Sequence, residues 1–235
     1  MTGGAGVLHV YYADRRALPD ELVDAHVTAE DRQRLSPPMH PRRRAEYLAG
    51  RALLRYALAR HSARDAISFA IRITSAGKPE CVDGPAISVS HSGDLVACAV
   101  AEHGPVGIDV ETGRRQTPVA AITERYFTAA EARWLAADPQ GRFRMLWVLK
   151  EAYLKVLGVG LAGGIDSLEC RIEPPAIVAQ VARGGDAPHL ALWAGQDCCL
   201  GVAADAASRA IVIERWSPRD EPDAFGPFVT VARTE

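Results

Sequence analysis

The segments VGIDVE at residues 106–111 and RFRMLWVLKEAYLKVLG at residues 142–158 carry the strongest structural signal in the chain. VGIDVE is typical of a short strand, and strand side chains alternate between the two faces. Asp109 and Glu111 therefore share one face. Two carboxylates on one face repel each other unless a cation lies between them, and magnesium takes oxygen ligands of this kind. The strand taken alone also fits a polar edge that faces water.

The segment at residues 142–158 has the apolar spacing of a helix. Apolar residues recur at intervals of three and four, which predicts a stripe that faces the core. The residues of this stripe are Leu146, Leu149, Tyr153 and Val156. Glu151 and Lys155 lie four residues apart and share a different face of the helix with Trp147. They form either a charged site or an exposed ion pair, which would contribute roughly 0.3–0.5 kcal/mol.

The chain repeats one plan of strand, basic helix and closing strand, with an offset of ~100 residues, the size of a small domain. The matching segments are residues 8–13 and 106–111, residues 42–60 and 142–158, and residues 95–101 and 199–204. The pattern predicts an α+β fold of two similar halves, each with one long helix packed on an antiparallel sheet. We place the halves at residues 1–105 and 106–217. Residues 218–235 form a polar, proline-broken tail, expected to be an arm or disordered.

The segment ISVSHSGD at residues 87–94 predicts a strand that ends in a turn. His91 at the strand end is suited to donating to a phosphate or acting as a base, or to a structural hydrogen bond. Ser90 precedes it, but the G-x-S-x-G elbow of a serine hydrolase is absent from the sequence. An adjacent serine and histidine do not make a triad, so a hydrolase of that class has little support.

Basic residues suited to phosphate occur in two more places. In AGKPE at residues 76–80, Gly77 permits close backbone approach, Lys78 supplies a cation and Pro79 stiffens the turn. An ordinary surface turn would have the same composition. The helical segment at residues 42–60 also carries arginines, whose forked guanidinium suits phosphate contacts. These are Arg42, Arg43, Arg44 and Arg51.

The composition is that of an ordinary globular protein, with 235 residues, 48% hydrophobic and 24% charged. A net charge of -2 argues against a nucleic-acid binder that relies on overall positive charge. The five cysteines lack zinc-site spacing and fit a reducing cytoplasm. The sequence contains neither a signal-peptide pattern nor an apolar run of the ~20 residues that a membrane span needs. We therefore expect a cytoplasmic protein that binds neither membrane nor nucleic acid.

The motifs GKP, SHSG, GIDVE and W-x-x-KEAYLK occur in this order, and the ordered set resembles the Sfp-like 4′-phosphopantetheinyl transferases over roughly residues 42–170. The resemblance implies two halves related by a pseudo-two-fold axis within one monomeric chain. It implies transfer of the 4′-phosphopantetheine arm of coenzyme A to a serine of an apo acyl or peptidyl carrier protein, with release of 3′,5′-ADP. Magnesium and coenzyme A are the implied cofactor and substrate.

The resemblance also implies residue roles. The implied magnesium ligands are Asp109, Glu111 and Glu151. The implied coenzyme A contacts are Arg44, Arg51, Gly77, Lys78, Pro79, Ser90, His91, Lys150 and Lys155. Glu151 is the implied base for the carrier serine, and Lys155 is implied to stabilise charge on the departing phosphate. Val148 stands where the family usually has Ser or Thr, and residues 112–128, where the carrier usually docks, lack a distinctive match.

Two other classes of function use some of the same residues. A magnesium-dependent hydrolase of nucleotide diphosphates would use the carboxylates to activate water, and would release coenzyme A fragments without a carrier protein. A non-catalytic coenzyme A-binding module is disfavoured by the three carboxylates, because phosphate binding alone favours cations over acids. The transferase is the leading hypothesis.

Overall fold

The computed structural model describes residues 6–35, 39–113, 117–160, 164–182, 184–205, 208–218 and 229–234. The helices are α1 (Asp20–His26), α2 (Ala29–Gln33), α3 (Pro41–Arg60), α4 (Val119–Tyr126), α5 (Ala129–Leu135) and α6 (Pro139–Leu157). The strands are β1 (Gly6–Asp14), β2 (Ile71–Ile73), β3 (Pro79–Cys81), β4 (Ala86–Ser92), β5 (Leu95–Ala101), β6 (Val106–Thr112), β7 (Leu168–Glu173), β8 (Ala176–Val181), β9 (His189–Gly195), β10 (Cys198–Ala204), β11 (Ser208–Arg215) and β12 (Val229–Arg233). Within these ranges, no helix has both the length and the apolar character needed to cross a membrane.

The first sheet has the strand order β11-β1-β5-β4 and carries helix α3 on its outer face. The helix starts at Pro41, whose fixed φ suits the first helical position. Before it, the His40 ring accepts a hydrogen bond from the Arg42 N–H at 3.3 Å. The buried side of the helix packs on alternate residues of β1 and β5, so one apolar core fills the space between helix and sheet.

The second sheet has the strand order β6-β10-β9-β12-β8-β7 and carries helix α6 on its outer face. At the start of α6, the Asp138 carboxylate accepts a hydrogen bond from the Gly141 N–H at 3.0 Å. The helix ends at Gly158, whose φ of 69° is left-handed. The predicted stripe is buried against this sheet, with Leu146 and Leu149 fully enclosed.

A third apolar core lies between the two sheets. Strands β1 and β5 contribute one side of it, and β6, β9 and β10 contribute the other. The molecule therefore has four layers: helix, sheet, sheet, helix. This confirms the predicted α+β class with one long helix on each sheet, although the sheets are antiparallel except where β1 meets β11 and β8 meets β12. The pseudo-two-fold relation between the halves stays a prediction.

The structure differs from the predicted division of the chain at two strands. Strand β11 falls within residues 106–217, yet it pairs in parallel with β1 in the first sheet, and Trp216 beyond it stacks on Tyr56 with ring centroids 4.8 Å apart. Strand β12 falls within the predicted tail at residues 218–235, yet it pairs with β9 and buries Ala232 completely. Both segments pair with strand edges and pack on apolar cores that exist only in the folded chain.

Two glycines set the distance between α6 and the second sheet. A Cβ added at Gly107 in β6 would lie 1.9 Å from the Ala152 carbonyl oxygen, and one at Gly201 in β10 would lie 2.7 Å from the Val148 carbonyl oxygen. Both distances are far below a normal contact, so the helix backbone rests directly on the strands. The absence of a side chain at these two positions fixes the position of the helix.

We expect Gly107→Ala to lower the free energy of unfolding by about 2 kcal/mol or more, because overpacked sites typically cost 1–3 kcal/mol. Urea denaturation measures the change. Gly6→Ala is the matched control, since its added Cβ would lie at an ordinary 3.5 Å from the His103 ring. We expect it to stay within about 0.5 kcal/mol of the native value. Native stability in Gly107→Ala would contradict the close packing of α6 on β6.

Candidate active site

Asp109 is a buried carboxylate whose two oxygens have different surroundings. Its Oδ1 accepts hydrogen bonds from Ser90 Oγ at 2.6 Å and from Lys155 Nζ at 2.8 Å. Its Oδ2 is enclosed and has no hydrogen-bond partner among the described residues. A buried oxygen without a partner is costly and suggests that a further ligand belongs there. Lys155 Nζ also donates to the Ile108 carbonyl at 2.8 Å, which fixes the ammonium beside Asp109.

Glu151 lies near this carboxylate on helix α6. Burial raises the pKa of the Glu151 carboxyl to about 7, and the negative charge of Asp109 acts in the same direction. Lys155 opposes this shift in pKa, and Glu111 adds to it. Glu111 accepts a hydrogen bond from Ser92 Oγ at 3.0 Å. Asp109 and Glu111 on β6 are therefore close enough to Glu151 on α6 for their charges to act on it.

A cleft of about 270 Å³ opens beside Glu151 and Lys155. Its other wall comes from the turn between β2 and β3, where Gly77 has a φ of 83° and Lys78 reaches inward. Lys78 Nζ donates to the carbonyls of Val106 and Lys155. Burial lowers the pKa of the Lys78 ammonium, and the Lys155 charge adds to this shift. Cationic side chains from both halves thus face one cleft.

A second cleft of about 370 Å³ shares Gly77, Pro79 and Val89 with the first, so the two form one continuous groove. Arg51 lines this part, and its Nη1 is enclosed without a hydrogen-bond partner among the described residues. The guanidinium lies 5.2 Å from the Tyr47 ring centroid. An enclosed guanidinium with a free donor is well suited to a phosphate.

His91 stands at the edge of the second cleft, and 45% of its side chain is exposed. Its Nδ1 lies 3.6 Å from Glu46 Oε2. Partial burial lowers the pKa of His91, the Glu46 charge opposes that shift, and the Lys155 charge supports it. A largely neutral ring at this place can still donate one hydrogen bond to a bound anion.

Residues 105–202 match the family model described as the 4′-phosphopantetheinyl transferase superfamily, and residues 31–101 match the one described as the 4′-phosphopantetheinyl transferase N-terminal domain. A 4′-phosphopantetheinyl transferase of Bacillus subtilis is 30% identical over 185 residues, which cover 75% of this chain and 81% of that protein. The chain belongs to the 4′-phosphopantetheinyl transferase family.

Two further relatives carry the same enzyme name. The 4′-phosphopantetheinyl transferase psf-1 of Bacillus pumilus is 40% identical over 103 residues, or 41% of this chain and 42% of that protein. The 4′-phosphopantetheinyl transferase HetI of Nostoc sp. is 30% identical over 159 residues, or 64% of this chain and 67% of that protein. The suspected resemblance to this transferase family is thereby confirmed.

The family resemblance implies a magnesium ion, and the carboxylates have the chemistry to hold one. Within the described part of the chain, no three acidic, histidine or cysteine side chains are already arranged as a metal site. The donors at Asp109, Glu111 and Glu151 are nonetheless all carboxylate oxygens, which magnesium prefers. Asp109 Oδ2 lacks a partner, and a cation would relieve the repulsion that raises the pKa of Glu151. The residues therefore fit the ion.

The structure brings most of the predicted coenzyme A contacts of this transferase to the groove, but three differ. Lys150 is fully buried on another side of α6, where its Nζ pairs with Glu131 Oε1 at 2.8 Å. It also donates to the carbonyls of Ile165 and Leu168. Lys150 therefore does not face the groove, because one step along a helix turns a side chain by about 100°.

The other two differences concern Arg44 and Ser90. Arg44 is exposed and lines neither part of the groove. Arg43, by contrast, lies near enough for its charge to help lower the pKa of His91. Ser90 is 8% exposed, and its hydroxyl is engaged by Asp109. The structure thus places Ser90 behind a carboxylate, away from the open groove.

Sequence reasoning missed two residues of this site. Glu46 lies beside His91 and also accepts a hydrogen bond from Arg42 at 2.9 Å. Only the folded chain brings α3 next to the end of β4, so a local pattern does not indicate this contact. Ser92 holds Glu111, and its position two residues after Ser90 is a signal that could have been used.

We expect Lys150→Met to lower the free energy of unfolding by about 3–5 kcal/mol, because it leaves Glu131 buried without its partner. Chemical denaturation measures the loss. Lys155→Met, five residues and more than one turn later, is the matched control and should lose less than half as much, since Lys155 is partly exposed. The double variant Glu131→Gln/Lys150→Met should be more stable than Lys150→Met. A small loss of stability in Lys150→Met would show that the buried pair of Lys150 and Glu131 does not stabilise the fold.

Proposed function

We propose that this chain transfers 4′-phosphopantetheine from coenzyme A to a serine of an apo acyl or peptidyl carrier protein, in a magnesium-dependent reaction. The observation that carries the proposal is the meeting of three carboxylates, Asp109, Glu111 and Glu151, with Lys155 at one end of a groove lined further along by basic residues. The acidic end of the groove suits a metal ion bound to a diphosphate, and the basic residues along the rest of the groove suit the nucleotide phosphate attached to it.

The nucleotide side of coenzyme A would bind along the part of the groove that is lined by the first half of the chain. Arg51 offers a free guanidinium donor, His91 offers one ring donor, and Lys78 adds charge at the turn. Gly77 and Pro79 shape the turn where the groove narrows. Three separate donors, on α3, on β4 and on the turn between β2 and β3, would hold coenzyme A in one orientation, which supplies much of the acceleration when serine attacks.

The transfer step forms one bond and breaks one. The carrier serine oxygen attacks the β-phosphorus of coenzyme A, a new oxygen–phosphorus bond forms, and the phosphoanhydride bond to 3′,5′-ADP breaks. Glu151 takes the serine proton, directly or through water. Lys155 stabilises the charge that develops on the departing phosphate.

The proposed ligands of the magnesium ion are Asp109, Glu111 and Glu151. When bound, the ion would offset the charge of the diphosphate and polarise the phosphoryl group. Ser90 and Lys155 hold Asp109 by one oxygen only, so its other oxygen is available to a cation. This division suits a site that leaves coordination positions for phosphate and water.

We propose that the enzyme acts as a monomer in the cytoplasm. Residues from both halves of one chain line the groove beside the carboxylates, so the site is built within a single copy. None of the five cysteines, all of which lie among the described residues, forms a disulfide, which suits a reducing compartment. Docking of the carrier is proposed for the segment after β6, and its residues Arg114 and Arg115 lie outside the described residues.

The test is incubation with coenzyme A, magnesium and a panel of apo carrier proteins, followed by intact mass measurement. We expect at least one carrier to gain one phosphopantetheine, and 3′,5′-ADP to form only when that carrier is present. Release of 3′,5′-ADP without a carrier would favour the hydrolase instead. A panel with no modified carrier, and no coenzyme A binding, would remove the transferase assignment for this chain.

We expect Asp109→Ala and Glu151→Gln to slow transfer by about 100-fold or more, since a general base alone contributes typically 10²–10⁴-fold. A magnesium titration of the transfer rate, with folding checked by circular dichroism, measures the effect. Glu173→Gln is the control, because this exposed carboxylate pairs with Arg171 on β7 away from the groove. Normal transfer by the two folded variants, or by the native chain in excess chelator, would exclude the carboxylates from the reaction.

We expect Lys78→Ala to raise the KM for coenzyme A more than it lowers kcat, because Lys78 lines the groove without touching the carboxylates. Arg72→Ala is the control on the same hairpin. Arg72 is exposed and pairs with Glu80 at 2.7 Å, so its loss should leave the KM unchanged. An unchanged KM in Lys78→Ala would mean that its role is limited to joining the two halves.

A further inference from the structure

Strands β4 and β6 lie at the edges of two different sheets, and serine hydroxyls join them. Ser88, Ser90 and Ser92 alternate along β4 and so share one face. Their Oγ atoms accept hydrogen bonds from the backbone N–H groups of Ile108 at 3.1 Å, Val110 at 3.4 Å and Thr112 at 3.2 Å. The hydroxyls therefore replace the carbonyls of an ordinary ladder along this edge.

The hydroxyls of Ser90 and Ser92 each make a second contact, with a carboxylate, which the hydroxyl of Ser88 lacks. Ser90 donates to Asp109 Oδ1 at 2.6 Å, and Ser92 donates to Glu111 Oε2 at 3.0 Å. Asp109 immediately precedes Val110, and Glu111 immediately precedes Thr112, so each carboxylate is on the residue before the one whose N–H binds the serine. For Ser88 the preceding residue is Gly107, which has no side chain. One strand thus offers three equivalent serines, of which two hold a carboxylate.

The chemistry of a hydroxyl makes this arrangement directional. A serine hydroxyl has one proton to donate, and a lone pair that already accepts the backbone N–H leaves that proton for the carboxylate. Ser90 and Lys155 together occupy Asp109 Oδ1, while Oδ2 remains enclosed and without a partner among the described residues. The serine therefore sets which oxygen of Asp109 faces its own strand and which is left for a cation.

We propose that Ser90 and Ser92 are positioning residues that hold Asp109 and Glu111 for the divalent cation. The proposal rests on the metal-dependent function proposed above, and it gives Ser90 a role different from the coenzyme A contact expected from the sequence. Partners that hold a metal ligand in place typically change metal affinity by 10–100-fold when removed. Because β4 belongs to the first sheet, that sheet sets the geometry of carboxylates carried by the second.

The test compares Ser88→Ala, Ser90→Ala and Ser92→Ala. Ser88→Ala is the matched control, because Ser88 lines the groove and accepts a backbone N–H but holds no carboxylate. Manganese serves as the probe, and its free-ion EPR signal reports binding with saturating coenzyme A and no carrier protein present. We expect about tenfold weaker manganese binding in Ser90→Ala, weaker binding in Ser92→Ala, and a change below about twofold in Ser88→Ala. In chelator, the three variants should lose similar amounts of thermal stability.

Ser90→Thr keeps the hydroxyl and should restore manganese binding. If it does not fold, Ser92→Ala against Ser88→Ala decides the question. Equal affinity in the native chain and all three alanine variants would overturn the proposal, as would an equal loss in Ser88→Ala. So would a raised KM for coenzyme A in Ser90→Ala with unchanged manganese affinity, since that indicates direct substrate contact. A native chain that binds no manganese would instead remove the metal from the proposed function, and this inference with it.

Discussion

The contact of helix α6 with strand β6 at Gly107 is the constraint on which the rest of the structure depends. The helix backbone at Ala152 passes directly over this glycine, at a distance that leaves no room for a side chain. Glu151 and Lys155 flank Ala152 along the helix, and Asp109 lies two residues beyond Gly107 on the same strand face. The hydrogen bond of 2.8 Å from Lys155 to Asp109 forms because the helix lies this close to β6. The close packing of α6 on Gly107 thus determines the geometry of the charged groups.

The charged groups themselves work against the fold. Three carboxylates lie near one another, and burial together with the charges of Asp109 and Glu111 raises the pKa of Glu151. The surrounding structure offsets this cost through Lys155 and through the hydroxyls of β4, while the apolar cores on either side keep the strands in place. Such local conflict is common where a protein must bind an ion or react, because the arrangement favours the bound state over the empty one.

Much of this could be predicted from the sequence where the signal was local. Strand alternation placed Asp109 and Glu111 on one face, and helical spacing placed Glu151 with Lys155. The failures have one physical cause. Lys150 is adjacent to Glu151 in sequence, but the helix turns it towards Glu131, a partner supplied by helix α5. Strand β11 joins the first sheet through an edge that forms only on folding. Contacts between distant segments leave no periodic signal in either one.

The same long-range contacts explain why neither half can provide this site alone. Lys78 comes from the first half, yet its ammonium binds the carbonyls of Val106 and Lys155 in the second. The serines of β4 bind the backbone of β6 across the same boundary. A ligand that touches the turn at Lys78 therefore touches a residue already tied to the end of α6. In the proposed function, coenzyme A binding and alignment of the carboxylates would be linked through this short, shared edge, and a change of register there would disturb both at once.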